Sequence, residues 1–177
     1  MDYETKTLSR VAIRNIASYM RKVFGVYSDN EPFPVLYALE KLPDLFKGTT
    51  YKVVEDDKLP GNIYACCYFN PEGGFVIEIK ETVYNGAYYD NNGAFLCFIC
   101  HEICHVILFY LGYTPISAKS FDNITDIPPY KSVEWQAKAL CGEITIPFDA
   151  TAGMSAKEIA AKYNVSLQSA RYRTKQK

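Results

Sequence analysis

The two histidines of this 177-residue chain stand four residues apart, with a glutamate directly after the first, in the segment His101-Glu102-Ile103-Cys104-His105. On an α-helix, positions i and i+4 lie about 40° apart around the axis and roughly 6 Å apart along it. Two imidazoles placed in this way can bind one zinc ion, and Glu102 can reach a water molecule held by that ion. The spacing therefore predicts a zinc centre that activates water for hydrolysis.

A third ligand is expected, because catalytic zinc usually has three protein ligands and keeps a fourth position for water. Glu134 begins a mostly apolar stripe at helical spacing that continues through Ala137, Cys141 and Ile144. A carboxylate on a buried stripe is costly unless it is paired or bound to a metal, so Glu134 is the best candidate. The alternative is an exposed glutamate that favours the helix dipole. Glu143 lies about 180° around the same helix and is expected to face solvent.

Glu102 is the expected general base of such a centre. Zinc lowers the pKa of a bound water toward about 7, and a nearby carboxylate can take the proton and pass it to a leaving amine. A thiol ligand does not fit, because Cys97 and His105 are about 12 Å apart along the helix axis and zinc ligands lie near 2 Å from the metal. The segment from Cys97 to His101 also matches the pattern for haem attachment, but that chemistry needs an exported chain.

Cysteine usage and the N-terminus bear on the compartment. Residues 1–5 are polar and partly acidic, unlike a signal peptide, so we expect the six cysteines to be reduced and the protein to be cytoplasmic. Residues 94–111 are apolar enough to be considered as a membrane span. A charge at the centre of such a span costs about 3 kcal/mol, and Glu102 lies there between the two histidines. We therefore expect a helix in a soluble core and no membrane partner.

The elements that position these residues follow from periodicity and from turn residues. Helices are predicted for residues 7–24, from Pro34 to near Pro43, for 93–111 and for 132–144. Apolar runs at 51–54, 63–69 and 75–79, separated by glycine- and proline-containing turns, predict an antiparallel meander. Residues 84–92 are predicted to form a loop, and 117–130 an irregular segment.

These elements predict an α+β fold in which a small antiparallel sheet packs against the HExxH helix and its flanking helices. The length indicates a single domain over residues 1–177. Its predicted parts are N-terminal helices in 1–48, the meander in 49–92, catalytic helices in 93–147 and a basic helical tail in 155–177. The strand at 75–80 directly precedes the HExxH helix region, and we expect it to be the sheet edge that aligns an extended substrate.

Two blocks of residues resemble the ImmA/IrrE family of zinc metallopeptidases. Residues 101–108 are similar to the HExxH motif of that family and the apolar run after it. Residues 134–147 are similar to its second motif, in which a glutamate ligand precedes an alanine by three residues and the helix ends before a proline. The resemblance implies a zincin-like domain with Zn²⁺ held by His101, His105 and Glu134, and with Glu102 as the catalytic residue.

The resemblance also implies a substrate. Members of the family cleave a helix-turn-helix transcriptional repressor, often encoded nearby on a phage or mobile element, and so derepress its genes. By this resemblance the chain is expected to be a cytoplasmic zinc endopeptidase whose partner is such a repressor.

The tail suggests an alternative function. Residues 155–177 contain six basic residues and Glu158, a charge of about +5, which leaves roughly −6 on the remainder. The segment has helix-turn-helix spacing with a break at Asn164-Val165, so the chain could instead be a DNA-binding transcriptional regulator. Two helices cannot form a core of their own. We therefore expect them to pack on the rest of the chain, and nucleic acid is not the expected direct ligand.

Overall fold

A computed structural model of the chain describes residues 2–114 and 127–176. Within these residues the chain is α+β, as the sequence predicts. The predicted segment 117–130 lies for the most part outside them. The helices and strands are α1 Arg10–Val23, α2 Val35–Leu45, β1 Thr50–Val54, β2 Ala65–Phe69, β3 Phe75–Lys80, α3 Glu81–Tyr89, α4 Gly93–Tyr110, α5 Val133–Thr145, α6 Ala156–Tyr163 and α7 Leu167–Thr174.

The three strands form a mixed sheet in the order β1-β3-β2, so the predicted antiparallel meander is wrong. β3 pairs antiparallel with β2 and parallel with β1. β3 takes the centre because it is the most apolar strand, whereas β1 and β2 are partly exposed. The expectation that Phe75–Lys80 is a sheet edge is also wrong, because that strand is paired on both sides.

Two glycines allow the parallel pair to begin. Gly48 and Gly74 each precede a strand, and their backbones approach so closely that a Cβ atom on either would clash with the other segment. Both have positive φ angles, which glycine adopts without strain. This close approach fixes the register of β1 on β3. The alternation of apolar and polar residues in the sequence does not reveal that register.

The predicted loop at residues 84–92 is for the most part the helix α3. Val83 and Ala87 lie one turn apart and are buried, which gives the helix an apolar face despite its many tyrosines and asparagines. Gly86 leaves room for the ring of Phe95 on α4. The helix is therefore stabilised by packing that its composition does not indicate.

α4 lies at the centre of the core and contacts α2, α3, α5 and the sheet. Its inward positions, including Ile99, Ile103 and Ile107, are fully buried. Asn92 caps its N-terminus by accepting hydrogen bonds from two backbone amides, and Gly112 follows its C-terminus with a positive φ. By length and composition alone α4 could cross a membrane. The core helix of a soluble protein also meets these two criteria.

The tail forms two short helices, and Asn164 takes a left-handed conformation between them, at the predicted break. Ile159, Tyr163 and Ala170 pack with Ile146 in a second apolar cluster. The Tyr163 hydroxyl donates a hydrogen bond to the backbone of the segment between α1 and α2. These contacts join the tail to the rest of the chain.

Glu143 does not face solvent, which corrects the sequence-based prediction. Arg173 of α7 donates hydrogen bonds to the Glu143 carboxylate and to the Gly142 carbonyl, each at 2.8 Å. Arg14 of α1 approaches the same carboxylate at 3.6 Å. The helical wheel of α5 places Glu143 opposite Glu134, but the tail and α1 cover that side.

Candidate metal centre

Three side chains converge where α4 meets the first turn of α5. The Nε2 atoms of His101 and His105 are 3.2 Å apart. The Glu134 carboxylate lies 3.3 Å from His101 Nε2 and 3.4 Å from His105 Nε2. Atoms about 2 Å from one tetrahedral ion are separated by roughly these distances. Two imidazoles and one carboxylate are ligands that zinc accepts, so the group could hold a metal ion.

Backbone and side-chain contacts fix the position of Glu134. Ser132 caps α5 by accepting a hydrogen bond from the Trp135 amide at 2.9 Å. The carboxylate of Asp2 accepts hydrogen bonds from the Ser132 hydroxyl at 2.7 Å and from the Glu134 amide at 3.1 Å. The Val133 amide donates to the carbonyl of the residue after Asp2. The N-terminal segment therefore holds the turn that carries the third predicted ligand.

The surroundings keep Glu134 ionised. Hydrogen bonds from His101 and then from His105 hold the pKa of this carboxyl well below its usual range, although partial burial opposes the shift. Lys138, one turn further along α5, lies 3.8 Å away and is largely exposed. The site thus presents a carboxylate and two imidazole nitrogens to the same small volume.

Glu102 lies beside the three converging side chains and faces the sheet. Burial raises the pKa of its carboxyl, and the two histidines and the nearby backbone of Cys67 oppose that shift. Cys67 is on β2, which is an edge strand of the sheet. A carboxyl with a raised pKa is suited to accept and return a proton near neutral pH.

Tyr3 is a neighbour of the site that the sequence did not reveal. Burial raises the pKa of its phenol, and the proximity of Cys67 and Glu134 raises it further. The phenol therefore stays protonated near neutral pH and can donate a hydrogen bond. Nothing in the sequence distinguishes this residue among fifteen tyrosines. Only the pairing of the N-terminal segment with residues 131–133 brings it near Glu134.

Comparisons with protein-family models, with curated proteins and with solved structures found no match to this chain. The resemblance to the ImmA/IrrE family accordingly stays a prediction. The described residues define an α+β protein with a His-His-Glu group that could bind a metal ion.

Proposed function

We propose that this chain is a zinc-dependent endopeptidase. The observation that supports it is the convergence of His101, His105 and Glu134, with Glu102 adjacent and near the backbone of an edge strand. Two histidines and one glutamate form a ligand set used by catalytic zinc, and three protein ligands leave a position for water. Zinc is proposed over magnesium or calcium because those ions prefer sets made of oxygen atoms alone.

The chain's own residues supply the proton transfers and the orientation. Bound zinc would supply an acidified water and polarise the scissile carbonyl group. Glu102 accepts the proton of the attacking water and then donates it to the leaving amine. Tyr3 donates a hydrogen bond to the carbonyl oxygen as negative charge develops there. The Glu102 carboxylate is buried near the two histidines and the backbone of Cys67, which places it for the first transfer.

β2 replaces β3 as the proposed substrate-aligning edge. One side of β2 is hydrogen-bonded to β3, and its other side has no strand partner in the sheet that the structure describes. An extended peptide added along that edge would form backbone hydrogen bonds that tolerate different sequences. The same strand carries Cys67, whose backbone lies near Glu102, so the peptide would lie close to the proton acceptor. This arrangement suits a protein substrate with an unfolded or locally opened segment.

We further propose, from the family resemblance, that the substrate is a helix-turn-helix repressor and that cleavage derepresses phage or mobile-element genes. A cytoplasmic location is proposed with it. All six cysteines are free thiols in the structure, which suits a reducing compartment. The tail is proposed to serve the fold and not to bind DNA, since Arg173 is buried against Glu143 and Tyr163 is buried in the tail's own cluster.

The proposed activity can be tested before any substrate has been identified. Wild type and Glu102→Gln would be produced in the same cells, and new protein N-termini would be compared by mass spectrometry. We expect wild type alone to generate new N-termini, with a helix-turn-helix protein among the cleaved chains. Identical N-termini in the two samples, with both proteins folded and zinc-loaded, would contradict the proposal.

A further inference from the structure

A cavity of about 300 Å³ lies away from the metal centre, between the N-terminus of α2, the first turns of α4 and the turn that joins α6 to α7. Its lining is mostly apolar and includes Phe33, Leu36, Leu96 and Val165. The thiol-bearing residue Cys97 also lines it. Among the described lining residues there is no proposed zinc ligand. The cavity thus lies against a thiol-bearing residue that the proposed peptidase chemistry does not use.

Cys97 on α4 and Cys141 on α5 form a pair of neighbouring thiols. The Cys97 sulfur lies 3.9 Å from the sulfur of Cys141. Ser169 of α7 donates a hydrogen bond to the Cys97 sulfur at 4.0 Å. Formation of a disulfide requires the sulfurs to close to about 2 Å, so modest side-chain and helix adjustments would be needed.

The two thiols differ in acidity. The hydrogen bond with Cys141 lowers the pKa of Cys97 to about 7, and the bond from Ser169 acts in the same direction. Hydrogen bonding with Cys100 contributes most to raising the pKa of Cys141, which is fully buried. The hydrogen bonds to Cys97 therefore favour its thiolate, the nucleophilic form, whereas the surroundings of Cys141 disfavour its thiolate.

We propose that Cys97 is a modification site for hydroperoxides, and that Cys141 resolves the oxidised thiol as a disulfide between α4 and α5. In the first step the Cys97 thiolate attacks one oxygen of the hydroperoxide. A sulfur–oxygen bond forms, the oxygen–oxygen bond breaks, and the leaving alkoxide or hydroxide takes a proton to become an alcohol or water.

In the second step the Cys141 sulfur attacks the sulfenic sulfur of Cys97. The disulfide bond forms, the sulfur–oxygen bond breaks, and the departing hydroxide takes the Cys141 proton and leaves as water. In total, two thiols are oxidised to one disulfide while one hydroperoxide is reduced. A cellular dithiol would reverse the reaction by exchange.

The other thiols are less suited to the first step. Burial raises the pKa of Cys66 and of Cys67 on β2. Cys100 and Cys104 are completely buried in the core, and their pKa values are also raised. Selectivity therefore comes from the cavity together with the hydrogen bonds to Cys97. The resulting disulfide would tie together the two helices that carry the proposed zinc ligands, one helical turn before His101.

The test uses the purified full-length protein and hydrogen peroxide at neutral pH. We expect peptide mapping under non-reducing conditions to recover a Cys97–Cys141 disulfide that a dithiol removes. Cys141→Ala should give no disulfide but a Cys97 sulfenic acid that a cyclic diketone traps. Cys97→Ala should give neither product. Cys66→Ser is the matched control and should give the Cys97–Cys141 disulfide as wild type does.

Ser169→Ala keeps both thiols. Its reaction with hydrogen peroxide should be slower than that of wild type by about threefold or more, because the thiolate loses a hydrogen bond. Its rate, together with the wild-type mapping, keeps the test valid if either alanine variant fails to fold. Oxidation of wild type elsewhere, or formation of Cys97 sulfinic acid without a disulfide, would overturn the proposal. So would an unchanged rate in Ser169→Ala.

Discussion

Two carboxylates on α5 have opposite surroundings. Glu134 lies in the first turn with its side chain 29% exposed and faces two imidazoles, whereas Glu143 lies near the end with its side chain 5% exposed and faces Arg173 and Arg14. Arginine is permanently charged, so Glu143 is neutralised by the chain itself. Imidazole offers a lone pair when neutral, so the Glu134 site retains the capacity to take up an external cation. The difference shows that residue type and burial do not define a role until the partner is known.

The largest expected effect is that of substituting Glu102, which lies beside Glu134. Glu102→Gln keeps the shape of the side chain but cannot accept the proton, so cleavage should fall by about 10²–10⁴-fold while zinc content stays that of wild type. Turnover of a substrate identified from the new N-termini, measured beside elemental analysis, checks both quantities. Near-normal cleavage would remove Glu102 from the mechanism, and a simultaneous loss of zinc would make the residue structural.

Truncation after Thr151 tests the opposite end of α5. It removes Arg173, which covers Glu143, and the apolar cluster around Ile146, so we expect the thermal midpoint to fall by about 10 °C or more. Duplex-DNA binding of the full-length and truncated proteins would be compared at low and moderate salt. Unchanged melting together with lost, salt-sensitive DNA binding would favour the DNA-binding regulator.

A single substitution tests the contact between Arg173 and Glu143 separately from the rest of the tail. Arg173→Ala leaves Glu143 buried with only the longer Arg14 contact, and loss of one partner of a buried pair costs about 3–5 kcal/mol. Arg171→Ala removes an exposed arginine from the same helix and is the matched control, with an expected change within about 0.5 kcal/mol. Urea unfolding measures both. Equal stability of the two variants would show that the Arg173–Glu143 pair does not secure the tail.

The smallest expected effect is at Tyr3. Tyr3→Phe removes the hydrogen-bond donor and keeps the ring, so kcat should fall by about tenfold, with zinc affinity and KM little changed. A change confined to zinc affinity would instead indicate that the N-terminal segment acts only by holding the turn that carries Glu134.

Much of the candidate site was accessible from the sequence because its signals are local. The i, i+4 histidines lie on α4 as predicted, and the stripe beginning at Glu134 identifies the buried face of α5. The structure places the three predicted ligands together. Such patterns are readable because the α-helix repeats every 3.6 residues whatever packs against it.

The features that were missed depend on distant partners. Glu143 is buried because Arg173, thirty positions later in the chain, reaches back to it. β1 pairs with β3 although β2 lies between them in the sequence. The alternation of apolar and polar residues within a strand does not show which strands become neighbours. Tyr3 reaches the site only through the bridge between Glu4 and Ser132. Each is a long-range contact, and neither of the two segments that form it has a distinctive local sequence pattern.

The most direct test of the account is equilibrium zinc binding, measured by competition with a chromophoric chelator. Wild type should bind one zinc per chain, and Glu134→Gln should lose about 100-fold or more in affinity. Glu143→Gln, the matched change on the same helix, should keep the wild-type affinity wherever circular dichroism shows it folded. Wild type that binds no zinc, or a Glu134→Gln variant that binds as tightly as Glu143→Gln, would contradict the proposed metal centre.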